Sequence, residues 1–241
     1  MKRLAALAIC LAALTAAAPP HKVVRKSAIL DFDFEWPAEA VAIPALDLRL
    51  YNEAKRNLAE AQKNAADDAK LAKQDKRPFN AHEFTMIFST AGQSSRLLSL
   101  SSELGSFEGG AHPNTNYGSL LWDRGLKKEI GLNALFSKAN GLAGVTRAAY
   151  CKALNAERAK KRDGEKLDLP DFNSCPQYKE LAIYPADSNG NGRFDRMMFV
   201  ASPYVAGPYV EGAYEVSLPV TLPLIAALKP AFRASFELQR Q

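Results

Sequence analysis

The segment 27–36 alternates between apolar and acidic side chains, with the apolar set at Leu30, Phe32, Phe34 and Trp36. A period of two is typical of a β-strand that buries one face. The acidic set is Asp31, Asp33 and Glu35. These carboxylates lie on the opposite face, where they keep the strand solvated and discourage pairing with a foreign sheet edge.

The hydrophobic period becomes helical between Ala45 and about Lys73. One stripe carries Leu50, Ala54, Leu58, Ala61, Ala65 and then Ala69 or Ala72. Charged residues fill the positions between them, so this segment is predicted to be an amphipathic helix that packs closely against a sheet. A second helix is predicted from Gly141 to about Arg162. It ends in the basic run AERAKKRDGEK, where cations suit the helix dipole.

The middle of the chain predicts successive antiparallel strands at 84–91, 97–103 and 117–123. A turn at 124–130 leads into a short strand, and a helical turn is expected at 132–136. Further strands are predicted at 180–184, 197–201 and around 214–218. Helices inserted between antiparallel strands indicate an α+β fold, with antiparallel sheets packed with two main helices in two interleaved lobes.

Residues 1–18 have the layout of a secretory signal peptide, with Lys2 and Arg3 before an apolar run and small residues after it. Cleavage is expected after Ala17 or Ala18. No later segment reaches about 18 consecutive apolar residues, so we expect a periplasmic or secreted protein without a membrane span. Loss of the two basic residues lowers the formal net charge from +5 to +3. With no matching motif, this mild excess does not favour nucleic-acid binding.

Two cysteines, Cys151 and Cys175, remain after cleavage of the leader. An oxidising compartment permits disulfides, and two cysteines allow one pairing. The chain has no Cys-x-x-Cys motif at these positions. We therefore expect a structural disulfide rather than a redox centre.

The stretch EGGAHPN places two glycines, His112 and Pro113 between two predicted strands. Glycine permits unusual backbone angles and proline fixes the exit, so a constrained connection with a hydrogen-bonded histidine is one interpretation. Acid–base work by His112 with Glu108 is the other. Catalysis needs a nucleophile or a second carboxylate that the sequence does not place beside them. No catalytic residue is predicted.

Tyr204, Tyr209 and Tyr214 follow one another closely in the Pro- and Gly-rich stretch PYVAGPYVEGAY. Aromatic faces suit sugar rings, so these residues are candidates for a sugar-stacking surface. Core packing and anchoring of a turn explain them equally well. Tyr204 and Tyr209 join Glu108 and His112 as the predicted binding residues.

The loop DSNGNGRFD carries oxygen-bearing side chains with the spacing of a calcium loop, at Asp187, Asn189, Asn191 and Asp195. Position twelve is Met198, where an EF-hand needs a bidentate Glu, and strands are predicted on both sides. Two interpretations remain open: a calcium-stabilised hairpin with a carboxylate supplied from elsewhere, and a polar hairpin connection without an ion. No other cofactor is predicted.

Three motifs occur in a fixed order: EGGAHPNTNYGSLLWD at 108–123, KKEIGLNALF at 127–136 and VASPYVAGPYVEGAYEVSLP at 200–219. Together they resemble the extracytoplasmic domain of RsiV-type anti-sigma factors and PdaC-type peptidoglycan deacetylases. The matching positions are Gly109, Gly110, Ala111, His112, Lys128, Glu129, Ile130, Leu132, Leu135, Phe136, Pro203, Tyr204, Ala206, Gly207 and Pro208. The resemblance covers roughly 29–230 and implies a PdaC-like lobe at 19–105 and an RsiV-like lobe at 106–241.

The resemblance implies a binding function more than a catalytic activity. RsiV-type proteins sense lysozyme with this domain, and PdaC-type proteins join it to a separate deacetylase domain. We therefore expect a non-enzymatic binding or sensing domain for cell-wall glycan or for a wall-degrading protein such as lysozyme. A hydrolase or deacetylase of envelope polysaccharide and a calcium-stabilised structural envelope protein are the alternatives. The sequence shows no transmembrane helix after the leader and no cytoplasmic sigma-binding segment, so direct anti-sigma action is not expected. It shows no deacetylase domain either.

Overall fold

The computed structural model describes residues 21–165 and 167–239. The predicted signal peptide lies outside the described residues. The chain forms two sheets, with strand order β1-β2-β3-β4-β5-β6 in the first and β7-β8-β9 in the second. In the described part of the chain, no helix has the length and apolar character needed to cross a membrane.

The six strands of the first sheet follow one another in sequence as well as in space. They are β1 (His21–Lys26), β2 (Leu30–Trp36), β3 (His82–Gln93), β4 (Leu97–Phe107), β5 (Asn114–Asp123) and β6 (Lys128–Glu129). All neighbours are antiparallel except β2 and β3, which are parallel. A parallel pair needs a long crossover, and here α1 (Ala38–Val41) and α2 (Pro44–Gln74) provide it.

Strand β2 shows why the predicted alternation folds as it does. Its apolar set is 0–1% exposed, in a core with the buried face of α2. The indole Nε1 of Trp36 donates to Asp47 Oδ1 of α2 at 2.8 Å. The acidic set faces β1, where Lys22 pairs with Asp33 and Glu35 and Lys26 pairs with Asp31. These carboxylates therefore bind a neighbouring strand, because β2 is an inner strand rather than an edge.

The second sheet comprises β7 (Ala182–Ala186), β8 (Arg196–Ala201) and β9 (Tyr214–Pro219), and its three strands are antiparallel. It forms a second core with α3 (Gly141–Lys161), to which α4 (Leu222–Ala227) and α5 (Pro230–Arg233) contribute. Cys151 of α3 is bonded to Cys175, which confirms the predicted disulfide. The bond ties the connection between α3 and β7 to the helix.

The two sheets are joined by specific contacts rather than by a linker. Ser119 Oγ of β5 donates to the carbonyl of Ile183 in β7 at 3.1 Å. The N–H of Asp187 donates to the carbonyl of Ala91 at 3.0 Å. Arg96 binds the buried carboxylate of Asp123 and also donates to the carbonyl of Ala231. These bonds hold the end of β3 and the start of β4 against the second core.

The α+β class and the two main helices are confirmed. The parallel pairing of β2 with β3 makes the first sheet mixed, whereas the sequence indicated antiparallel strands. The predicted lobe boundary at residues 105 and 106 falls inside β4, and the first sheet continues to β6. Strand β1 had no counterpart in the sequence analysis.

Gly92 lies at the seam between the sheets and should not tolerate a side chain. A Cβ there would stand 2.6 Å from Asp187 N and 2.8 Å from Asp187 Cβ. Gly92→Ala should therefore destabilise the protein by about 1–3 kcal/mol, since the backbone must move. Urea unfolding of the purified protein measures the change.

Gly144 of α3 is the matched control, since a Cβ there would meet nothing within 4 Å. Gly144→Ala should stabilise the helix by about 0.5–1 kcal/mol. Equal stability of the Gly92→Ala protein and the wild type would contradict the close packing of the seam.

Candidate functional site

Two of the three sequence motifs meet at one surface. His112 lies in the connection between β4 and β5, and Tyr204 and Tyr209 lie in the connection between β8 and β9. The His112 ring stacks on the Tyr209 ring with a centroid distance of 4.0 Å and an interplanar angle of 23°. The Tyr204 ring lies 5.8 Å from the Tyr209 ring. We call these three side chains the aromatic platform.

Hydrogen bonds fix the orientation of the rings. The carbonyl of Pro113 accepts the Tyr209 hydroxyl at 2.7 Å and faces His112 Nδ1 at 2.8 Å. A carbonyl cannot donate, so Nδ1 carries the proton and Nε2 is left as an acceptor in the neutral ring. The Tyr204 hydroxyl lies 3.4 Å from that Nε2. His112 is therefore engaged at both nitrogens.

The platform is open to solvent. Tyr204 is 54% exposed and the neighbouring Val210 is 89% exposed, while His112 and Tyr209 are half-buried. Tyr204 has a φ of 71°, a conformation that costs a non-glycine residue about 1–3 kcal/mol. Strain of this kind persists where the surroundings hold a residue in place.

Glu108 does not join the platform through a bond. It is exposed and makes no hydrogen bond or ion pair with another described residue. Gly109, next to it, has a φ of 80°. The sequence predicts an unusual backbone angle at these glycines, and the φ of Gly109 confirms it. Glu108 remains a predicted binding residue on the strength of its place in the motif.

Basic side chains at the end of α3 hold the platform loop. Arg158 Nε donates to the carbonyl of Ala206 at 3.0 Å, and Arg158 is 4% exposed. Lys161 Nζ donates to the carbonyls of Glu211 and Ala213, each at 2.6 Å. The basic run is thus more than a set of cations at a helix terminus, because it satisfies backbone carbonyls of the loop.

A buried ion pair completes this attachment. Arg162 binds both oxygens of Glu211, at 2.8 and 2.9 Å, with side chains 5% and 10% exposed. The Tyr214 hydroxyl donates to the same carboxylate at 2.6 Å. We call Arg158, Lys161, Arg162, Glu211 and Tyr214 the clamp. Gly207 packs against it, since a Cβ there would stand 2.0 Å from Glu211 Oε2.

The charges of the clamp reinforce one another. Hydrogen bonding to Arg162 lowers the pKa of Glu211 below its usual range, and the same bond raises the pKa of Arg162. Burial raises the pKa of Tyr214 to about 12, with a further contribution from Glu211. Tyr214 is 1% exposed. It therefore anchors the turn, whereas Tyr204 and Tyr209 remain at the surface.

The remaining motif, KKEIGLNALF at 127–136, is not part of the platform. Leu135 and Phe136 lie in the second core, and Glu129 forms an ion pair with Arg49 of α2 at 2.6 Å. This segment joins the edge of the first sheet to the start of α3. Its place in the motif set is explained by packing.

The predicted calcium loop closes on itself through hydrogen bonds. The carboxylate of Asp187 accepts the N–H groups of Gly190, Asn191 and Gly192. The carboxylate of Asp195 accepts the N–H and the hydroxyl of Ser188. This is the geometry of a polar hairpin connection, in which side-chain oxygens take the place of backbone acceptors.

Glu237 brings a carboxylate to this loop from the C-terminal segment. Its Oε1 accepts the side-chain amides of Asn189 and Asn191 at 2.9 and 2.6 Å. Within residues 21–165 and 167–239, no three His, Cys, Asp or Glu side chains group closely enough to hold a metal ion. Calcium binding by this loop stays a prediction.

Glu211→Gln should destabilise the protein by about 3–5 kcal/mol at pH 7, because it leaves Arg162 buried without its counter-ion. The folded-state pKa of Glu211 lies below the ordinary 4.5. The ion pair therefore stabilises fully above that pH and is lost as the pH falls through the folded-state pKa. Chemical unfolding at pH 7 and pH 3.5 should show the difference between variant and wild type shrinking on acidification.

Glu60→Gln is the matched control, since Glu60 is exposed on α2 without an ion pair. It should leave stability unchanged at both pH values. A constant difference between the Glu211→Gln protein and the wild type would mean that the ion pair does not titrate as described.

Comparison with known proteins places these features in a family context. A family model described as Deacetylase PdaC matches residues 23–115. No curated protein matches the chain. The matched range covers β2 to β4 and ends just after His112. The platform loop with Tyr204 and Tyr209 lies outside it.

Two crystal structures share the fold over nearly the whole chain. A DUF3298 family protein from Pseudomonas aeruginosa PAO1 aligns with a TM-score of 0.51 and 17% identity, covering 88% of this chain and 94% of that one. A member of the DUF3298 family from Bacteroides fragilis aligns with a TM-score of 0.53 and 12% identity, covering 90% and 95%. Residues 23–115 are therefore similar to the PdaC family, and the fold of the chain is similar to that of the two DUF3298-family proteins.

Proposed function

We propose that this protein is a non-catalytic binding domain, located in the periplasm or secreted, whose aromatic platform recognises a cell-wall glycan. The observation that carries the proposal is the parallel stack of His112 on Tyr209, with Tyr204 beside it and partly exposed. Flat rings with polar edges suit a ligand that has apolar faces and hydroxyl groups at its rim, as a sugar ring does.

The platform is organised before any ligand arrives. The Pro113 carbonyl orients His112 and Tyr209, and the clamp holds the loop that carries both tyrosines. A rigid site loses less conformational entropy on binding, which raises affinity without new contacts. Rigidity therefore favours recognition by this surface over a role as an ordinary solvent-exposed turn.

Location outside the cytoplasm is supported by the disulfide and by the sequence of residues 1–18. Disulfides persist mainly in oxidising compartments. A cell-wall ligand is accessible to a protein placed there. A wall-degrading protein such as lysozyme is the other partner in reach, and the test below includes it.

The catalytic alternative has less support in the site. His112 is engaged through Nδ1 with a backbone carbonyl and through Nε2 with the Tyr204 hydroxyl. Glu108 makes no hydrogen bond to it. A general base has to be in reach of both its orienting partner and the proton it removes. A stacked histidine between a carbonyl and a tyrosine is better suited to binding.

Tyr204→Ala should weaken retention of the mature protein on purified peptidoglycan about 2- to 13-fold, since an aromatic contact contributes about 0.5–1.5 kcal/mol. Sedimentation with insoluble peptidoglycan at increasing protein concentration gives the apparent Kd. Soluble products are analysed in the same samples, and the wild type should release none.

Tyr51→Ala is the matched control, because Tyr51 is 45% exposed on α2, away from the platform. It should bind like the wild type. Equal retention of the Tyr204→Ala protein contradicts the platform as the glycan site. Retention on immobilised lysozyme and not on peptidoglycan makes the partner a protein, and product release makes the protein an enzyme.

A further inference from the structure

A small cleft with acidic and apolar residues in its walls lies between the two sheets, apart from the aromatic platform. Its volume is about 140 Å³, smaller than the roughly 300–1,000 Å³ of most small-molecule sites. It can therefore hold one extended group but not a large ligand. The lining residues are Ile87, Ser89, Ser101, Ser102, Glu103, Tyr117, Tyr184, Val200 and Glu215.

The strand registers place one carboxylate from each sheet in this cleft. Ile87 of β3, Glu103 of β4 and Tyr117 of β5 lie directly opposite one another in the first sheet. In the second sheet, Glu215 of β9 lies opposite Val200 of β8. The cleft is therefore built by regular strands from both sides and does not depend on a loop.

Neither carboxylate of the cleft has a counter-ion among the residues that the structure describes. The acids of β2 pair with the lysines of β1, whereas Glu103 and Glu215 make no ion pair with any residue in the described ranges. No Lys, Arg or His is among the described residues that line the cleft. A negative cleft stands out in a chain whose formal net charge is +5.

Burial and the nearby carboxylates raise the pKa values of the two tyrosines that line the cleft. Burial raises the pKa of Tyr117, and both Glu103 and Glu215 raise it further. Burial also raises the pKa of Tyr184, with Glu215 again contributing. Both phenols therefore stay protonated at neutral pH and offer hydroxyl groups beside the two carboxylates.

The walls of the cleft also include apolar surface. Ile87 is 43% exposed and Val200 is 2% exposed. Tyrosine rings attract cations through their faces. Two carboxylates fit an ammonium group better than a calcium ion, which takes about 6–8 oxygen ligands. The carboxylates can pair with a positive charge, and the apolar walls can contact an aliphatic stem. Together they indicate a ligand that carries an ammonium group on such a stem.

We propose that the cleft between the sheets, with Glu103 and Glu215 at its edges and Ile87 and Val200 on its walls, binds a primary ammonium group carried on an aliphatic stem. A lysine side chain of a partner and a free short diamine share this chemistry. The site is separate from the aromatic platform and goes beyond the function proposed for it. Its occupancy does not depend on glycan binding.

The test is an NMR titration of the isotope-labelled mature protein with Nα-acetyl-lysine amide and, in a second arm, with 1,5-diaminopentane. Both should give saturable shifts at the amides of Ile87, Glu103 and Tyr117. The tighter ligand identifies the source of the ammonium group. Nα-acetyl-norleucine amide has the same stem without the charge and should give no saturable shift.

Glu103→Gln with Glu215→Gln should weaken amine binding at least 10-fold, because both charges are removed while the shape is kept. Glu60→Gln with Glu83→Gln removes the same charge from exposed positions outside the cleft and should bind amine like the wild type. A thermal melt checks that each variant is folded. Equal binding by the cleft variant, equal binding of the norleucine compound, or no shift with either amine would overturn the proposal.

Discussion

The buried ion pair between Arg162 and Glu211 is the interaction on which the proposed binding surface depends. It joins the end of α3 to the connection between β8 and β9, and the Tyr214 hydroxyl shares the same carboxylate. A buried charge pair adds little net stability, but losing either partner leaves an unpaired buried charge, which is strongly destabilising. The loop that carries Tyr204 and Tyr209 therefore has one preferred position.

That position matters because the other half of the platform comes from the first sheet. His112 stands at the tip of the hairpin formed by β4 and β5, and Tyr117 N–H of β5 donates to Ser202 Oγ at 3.0 Å just before the platform loop begins. The seam at Gly92 and Asp187 fixes the same two sheets at their other end. The aromatic platform and the cleft between the sheets therefore both depend on how the two sheets are joined.

The sequence predicts those helices and strands whose hydrophobic residues recur at a regular period. The alternation in β2 and the alanine stripe of α2 gave both elements within a few residues, because burial on one face dictates the pattern. Strand β1, HKVVRK, has a mostly exposed face on each side and so leaves no alternation to detect. Its lysines are explained by the acids of β2, which are visible only once the strands are paired.

The site was predicted in part for the same reason. His112, Tyr204 and Tyr209 were found through their motifs, but their stacking depends on contacts between residues about ninety positions apart. Arg162, the partner of Glu211, lies in a basic run that is typical of a helix C-terminus, so the sequence does not indicate the ion pair. The only sequence signal for it is the spacing of Arg158, Lys161 and Arg162, which places them on one helix face. Glu237 near the Asp187 loop likewise arrives from a distant segment.

We propose that the preorganised aromatic platform is a glycan site. The most direct measurement is an NMR titration of the mature protein with a soluble disaccharide fragment of peptidoglycan, following every backbone amide and the fragment itself. We expect saturable shifts confined to residues 108–115 and 203–212, with the fragment unchanged. Shifts confined to other parts of the chain, no shift at saturating fragment, or conversion of the fragment to product would contradict it.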